Sequence, residues 1–160
     1  NFFAGSYEIC DKLFVPENII RSKILEDDLK DIAVFRSNRC DSAVLMNVNG
    51  QNVWLALEYE RSQKSQARYV QRIKNWYQTE TLPGILLVAE NDSLIDMMFK
   101  IDAVTIPHLP RKILFLSKER LYSSTNEVKF FNSKRESLTF TLNNSLKIQY
   151  PILDQNLAKI

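Results

Sequence analysis

The residues best suited to chemistry lie in and around ALEYERSQKSQARYVQ, residues 56–71. Glu58 and Glu60 stand one residue apart, and strand alternation would put both on one face. Upstream, DSAVLMNV (41–48) and QNVWLALEYE (51–60) flank Asn49-Gly50, a strong short hairpin signal. A two-residue loop there pairs Val48 with Gln51 and carries Asp41 opposite Glu58. Cross-strand partners share a face, so Asp41, Glu58 and Glu60 would cluster at one end of the hairpin. Like charges so placed destabilise a sheet. They call for a divalent cation or for basic side chains close by. Hard carboxylate oxygens suit Mg²⁺ or Mn²⁺. The plainer alternative is a solvated polar edge whose acids pair with Arg61 and Lys64.

The segment that follows supplies the cations. Lys64, Arg68 and Arg72 recur at every fourth residue, which puts them on one face of a helix. Arg61 precedes them, Lys74 lies round the side, and no acid occurs between Arg61 and Thr79. Such a stripe can neutralise phosphates along a nucleic-acid backbone, or it can be a solvated helix face. Metal-bound acids beside a lysine are the parts needed for phosphodiester hydrolysis.

Other residues exclude other chemistries. His108 is the only histidine, so a histidine triad and a histidine-rich zinc site are ruled out. Cys10 and Cys40 show no CxxC spacing, and read as reduced thiols of an intracellular, cytoplasmic protein. No glycine-rich phosphate loop is present. Ser62 and Ser65 lack a histidine partner and read as helix caps. Arg111 and Lys112 read as a solvated strand end, and Glu17 and Glu26 as helix-surface charge. Trp54 and Ala56 share the Glu58 face, while Trp76 and Tyr77 fall on an apolar helix stripe.

The elements that must position these residues suit one α/β domain over 1–160, with its core at about 16–117. PENIIRSKILEDDL (16–29) reads as a helix begun by Pro16. AVFRS (33–37) reads as a strand, followed by the hairpin and then by a helix over 64–78. PGILLVAEN (83–91) and KILFLS (112–117) read as buried strands, with a helix over 93–101 capped by Asp92 or Ser93. The expected order is α-β-β-β-α-β-α-β, a mixed sheet with helices on its faces. Residues 118–160 form a C-terminal extension, with VKFF, LTFTL and LKIQYPI as strands. The net charge is only +2, so any electropositive surface must be local. No apolar run reaches the ~20 residues of a membrane span. The chain opens on Asn1, as a fragment of a longer protein would.

The order of elements, with Asp41 on one hairpin strand and Glu58-Tyr59-Glu60 on the next, resembles the PD-(D/E)xK nuclease superfamily. Its restriction-endonuclease-like core is α-β-β-β-α-β. Within it, LEYERSQKSQARYVQRIKNWY is similar to the nuclease-like domain of replication-relaxation proteins of plasmids and mobile elements. The matching positions are Glu58, Glu60, Arg61, Ser62, Lys64, Ser65, Arg68, Tyr69 and Tyr77. One departure is plain, because Glu60 occupies the usual lysine position. In some branches that lysine moves to the following helix, where Lys64 or Lys74 could serve. The resemblance implies a Mg²⁺- or Mn²⁺-dependent DNA endonuclease or nickase. Asp41 and Glu58 would hold the metal, with Glu60 a third ligand or a guide for Lys64. Lys64 or Lys74 would contact the scissile phosphate, and Arg61, Arg68 and Arg72 the DNA backbone. It also implies an upstream DNA-binding domain outside this chain, and a homodimer would fit double-strand cleavage. Two alternatives stand beside it: a DNA-binding or regulatory module that has lost catalysis, and a protein-interaction domain whose charges simply pair.

Overall fold

The computed structural model describes residues 7–21, 33–48, 51–124 and 127–141. In chain order they form β1 (Tyr7–Pro16), α1 (Glu17–Arg21), α2 (Ala33–Ser37), β2 (Ser42–Val48), β3 (Gln51–Glu60) and α3 (Gln66–Gln78). Then follow β4 (Ile85–Ala89), α4 (Asp92–Thr105), β5 (Ile113–Ser117), α5 (Lys118–Ser123), β6 (Glu127–Phe131) and β7 (Ser137–Thr141). The chain is therefore α/β with a mixed sheet.

β2 and β3 pair antiparallel from Ser42↔Leu57 to Val48↔Gln51, the expected register. The Asn49-Gly50 turn itself lies outside the described residues. β3, β4 and β5 run parallel, and every residue of β4 and β5 is buried. Their unbroken apolar runs reflect cover on both faces. β6 and β7 add antiparallel strands, and β7 pairs β1 at Tyr7↔Phe140 and Glu8↔Thr141, which closes the sheet on itself.

Closure divides the core in two. The outer face packs Ala43, Ala56, Ile85, Leu87 and Phe115 against Ile20, Phe35, Ile73, Trp76 and Met98 of the first four helices. The inner face joins Met46, Leu55, Leu86 and Leu114 to Val128, Phe130, Leu138 and Phe140. Helices lie at both faces, as expected, but unequally: the first four share one face, and β6, β7 and Leu121 of α5 cover the other.

Other expectations are corrected as well. AVFRS is the helix α2, not a strand. An apolar run this short carries no periodicity that separates the two states. The strand that completes the three-stranded meander is β1, upstream of the expected core. Pro16 ends β1, and α1 begins at the next residue; the rest of the expected helix, with Glu26, lies outside the described residues. Asn91 caps α4 in place of Asp92 or Ser93, accepting from Leu94 N at 2.9 Å. The VKFF and LTFTL segments form β6 and β7, while LKIQYPI lies outside the described residues.

α2 ends in a tight cap. Arg39 N donates to Arg36 O (3.0 Å) and Cys40 N to Phe35 O (2.9 Å), with Arg39 at φ 54°. This bond pair defines a Schellman cap, whose left-handed position favours glycine. Arg39 is exposed there. Arg39→Gly should therefore raise stability by up to about 1 kcal/mol, read as a higher midpoint in urea. A lowered midpoint would show that the arginine side chain outweighs its backbone cost.

Candidate functional site

The α2 cap delivers Cys40 and Asp41 directly to the start of β2. There Asp41 meets the far end of β3. Asp41 N donates to Glu58 Oε1 at 3.3 Å, and Tyr59 N donates to Asp41 Oδ2 at 3.0 Å. These reciprocal bonds hold the two carboxylates at one corner of the sheet. Alternation along β3 turns Trp54, Ala56, Glu58 and Glu60 toward the helix face and leaves Tyr59 exposed on the other.

Both glutamates are buried, at 1% and 4% exposure. Each meets a cation from the segment after β3. Arg72 of α3 pairs with Glu58 and lies 4.7 Å over the Trp76 ring. Lys64 pairs with Glu60. Lys64 sits in the loop before α3, because Ser65 is the N-cap and accepts from Arg68 N at 3.4 Å. Tyr69 pins that loop: its hydroxyl accepts from Lys64 N (3.0 Å) and donates to Ser62 O (3.3 Å).

Burial pushes the Glu58 carboxyl up to about 7, with the Asp41 charge adding to the rise and Arg72 opposing it. Cys40 is buried beside Glu58, and burial and then the Glu58 charge drive its thiol well above the usual range. This thiol is therefore inert as a nucleophile near neutral pH.

The expected site residues divide accordingly. Asp41, Glu58 and Arg72 form one group, and Glu60 and Lys64 a second. Arg61, Arg68 and Lys74 are solvent-exposed. Two residues past Arg72, Lys74 is turned roughly 200° round the helix, away from the acids. The shared face expected for Lys64, Arg68 and Arg72 is corrected, since Lys64 precedes the helix. The three-carboxylate cluster is not assembled either. Among the described residues no three His, Cys, Asp or Glu side chains are placed to hold a metal ion. Asp41 and Glu58 remain as a two-carboxylate pair. That set still suits Mg²⁺, which binds through one or two carboxylates and completes its shell with water and phosphate oxygens.

The sequence gives no site role to Cys40 or to a neighbouring polar group. Tyr59 Oη donates to Glu90, which also accepts from Lys118 Nζ at 2.8 Å. Lys118, with Tyr59, draws the Glu90 carboxyl below its usual range. The adjacency of Cys40 to Asp41 was the one signal available; nothing local linked Tyr59 to Glu90 and Lys118.

No helix among the described residues is long and apolar enough to cross a membrane. Compared with protein-family models, curated proteins and solved structures, the chain gives no match.

Proposed function

We propose that this domain is a metal-dependent DNA endonuclease or nickase with a restriction-endonuclease-like core, serving plasmid or mobile-element replication, relaxation or mobilisation. One observation carries the reading: the Asp41 and Glu58 carboxylates are tied together at the end of β3, with Lys64 and Arg72 converging from the next segment. Asp41 and Glu58 would hold Mg²⁺ or Mn²⁺, which when bound supplies an activated water and charge balance at phosphorus. Lys64 is about 30% exposed and can turn from Glu60 to a phosphate oxygen. Arg72 can do the same from Glu58, and Arg61 and Arg68 present free-facing charge to the DNA backbone.

A second reading is favoured by a different observation. Both buried glutamates already have a cation each, and Glu60 stands in the usual lysine position. A domain of that kind would bind DNA without cutting it.

Calorimetry with Mn²⁺ separates the two. The wild-type chain should bind, Asp41→Ala and Glu58→Ala should each lower affinity at least ten-fold, and plasmid nicking should fall in parallel. Salt-dependent DNA binding without metal binding or nicking would select the second reading.

A further inference from the structure

β3, β4 and β5 end level with one another, since Glu60 pairs with Ala89 and Ala89 with Ser117. In α/β folds, open or closed, ligands bind at the carboxyl ends of the parallel strands. Glu60 belongs to the site already described. Ser117 lies two strands away, about 10 Å along the same edge.

Beside Ser117 a cleft of ≈ 230 Å³ opens between α4, β5 and the β6–β7 turn. Phe99, Phe115 and Phe131 line it, and Phe99 and Phe115 meet edge to face at 4.9 Å. Ser117 is 1% exposed, and its Oγ finds no partner in good hydrogen-bond geometry. It nonetheless leans on Asp92, and this hydroxyl, then Arg120, holds that carboxyl below its usual range. A buried hydroxyl left without a full partner is uncommon, and it offers a ligand a ready contact. Both signs of charge surround the opening: Asp92 and Asp96 from α4, and Arg120 and Arg135 opposite, with Arg120 Nη2 2.9 Å from Asp92 Oδ2.

The cleft is smaller than the roughly 300–1,000 Å³ of sites for drug-sized ligands, so it suits a single planar base. Aromatic walls accept a π-face, carboxylates accept from exocyclic amines, and arginines hold phosphate. We infer that this cleft receives one unstacked, amine-bearing nucleobase of the DNA strand whose backbone crosses Glu58 and Lys64. The inference rests on the DNA reading above. A base inside a duplex cannot enter, so the domain selects DNA with an unpaired nucleotide.

The test uses the full chain and duplexes carrying one unpaired cytosine, thymine or 2-aminopurine, with a fully paired duplex and free dCMP beside them. Anisotropy at one low salt concentration should give roughly ten-fold tighter binding to the unpaired cytosine than to the paired duplex or the unpaired thymine. The 2-aminopurine fluorescence should be quenched on binding. Phe131→Ala, and the exposed Asp96→Asn, which leaves the fold intact, should each abolish the preference and the quenching while keeping duplex affinity. Equal affinity for all duplexes, or a preference that survives both substitutions, overturns the inference and leaves the DNA reading standing. Binding of dCMP with no binding of any duplex overturns the DNA reading and with it the cleft's role on a strand. Binding of neither overturns both.

Discussion

At pH 8, Glu58→Gln is expected to be more stable than the wild-type chain by about 2 kcal/mol, and to lack the nicking proposed above. Burial lifts this carboxyl from 4.5 to about 7 in the folded chain, even against the pull of Arg72. Between those two values the folded chain keeps a proton that the unfolded chain has released. Folding is therefore favoured at low pH, and the advantage is lost as pH rises to 7. At about 1.36 kcal/mol per unit, roughly 3 kcal/mol has gone once Glu58 is ionised. Glutamine keeps the shape and removes the buried charge. Its cost is the loss of a partner for Arg72, whose side chain is 31% exposed and can turn to water. The difference between the two chains in urea midpoints at pH 5, 7 and 8.5 isolates this one group. It should be near zero at pH 5 and grow toward pH 8.5. A variant less stable than wild type at pH 8 would refute a destabilising buried charge. A residue that weakens the fold where it is ionised is what a functional site demands, because structural selection alone would replace it.

Arg111→Ala should cost more, about 3–5 kcal/mol at pH 8. Arg111, expected at a solvated strand end, is buried instead: its side chain is 4% exposed. Its Nη1 donates to Asp102 O at 3.2 Å and Ile106 O at 2.7 Å, carbonyls at the end of α4, and stands 3.5 Å from Asp102 Oδ2. Removing it takes the donor from Ile106 O and the cation from a fully buried carboxylate, while Asp102 O keeps the Ile106 N–H and the carboxylate keeps the Ser133 hydroxyl. Burial already raises the Asp102 carboxyl, although the Ser133 hydroxyl and Arg111 oppose the rise. Without the arginine, Asp102 takes up a proton more readily, so the deficit should shrink between pH 8 and pH 5. Adding Asp102→Asn should recover part of the loss, a coupling that a double-mutant cycle measures. A deficit under about 1 kcal/mol with no pH dependence would refute the buried pair as a structural tie.

Much of the site was legible because its information is local. The Asn49-Gly50 dipeptide and two alternating strands were enough to pair Val48 with Gln51, and so to bring Asp41 to Glu58. The α3 stripe was legible for the same reason: Tyr69, Ile73, Trp76 and Tyr77 are buried at helical spacing. What failed depends on distant contacts. β1 is a strand because β2 on one side and β7 on the other supply its partners, and both lie far along the chain. α2 has five residues, and its helical state rests on burial of Phe35 and on the cap around Arg39, not on any repeat. The third carboxylate failed for a subtler reason. Alternation puts Glu60 on the correct face and leaves two roles open, third metal ligand or partner of Lys64; Lys64, held in place by Tyr69, takes it as a partner.

The alternation along β3 also sets which changes in length the domain can survive. Glu58 and Glu60 face the helices only while β2 and β3 keep their register. One residue inserted within β3 ahead of Glu58 would slip the ladder and exchange sides, driving Tyr59 beneath α3 and sending both acids outward. Extra residues in the exposed 107–110 connection would leave that ladder untouched. Drift in the length of this chain is thus confined to its loops, and the hairpin carries the acids under a strict count.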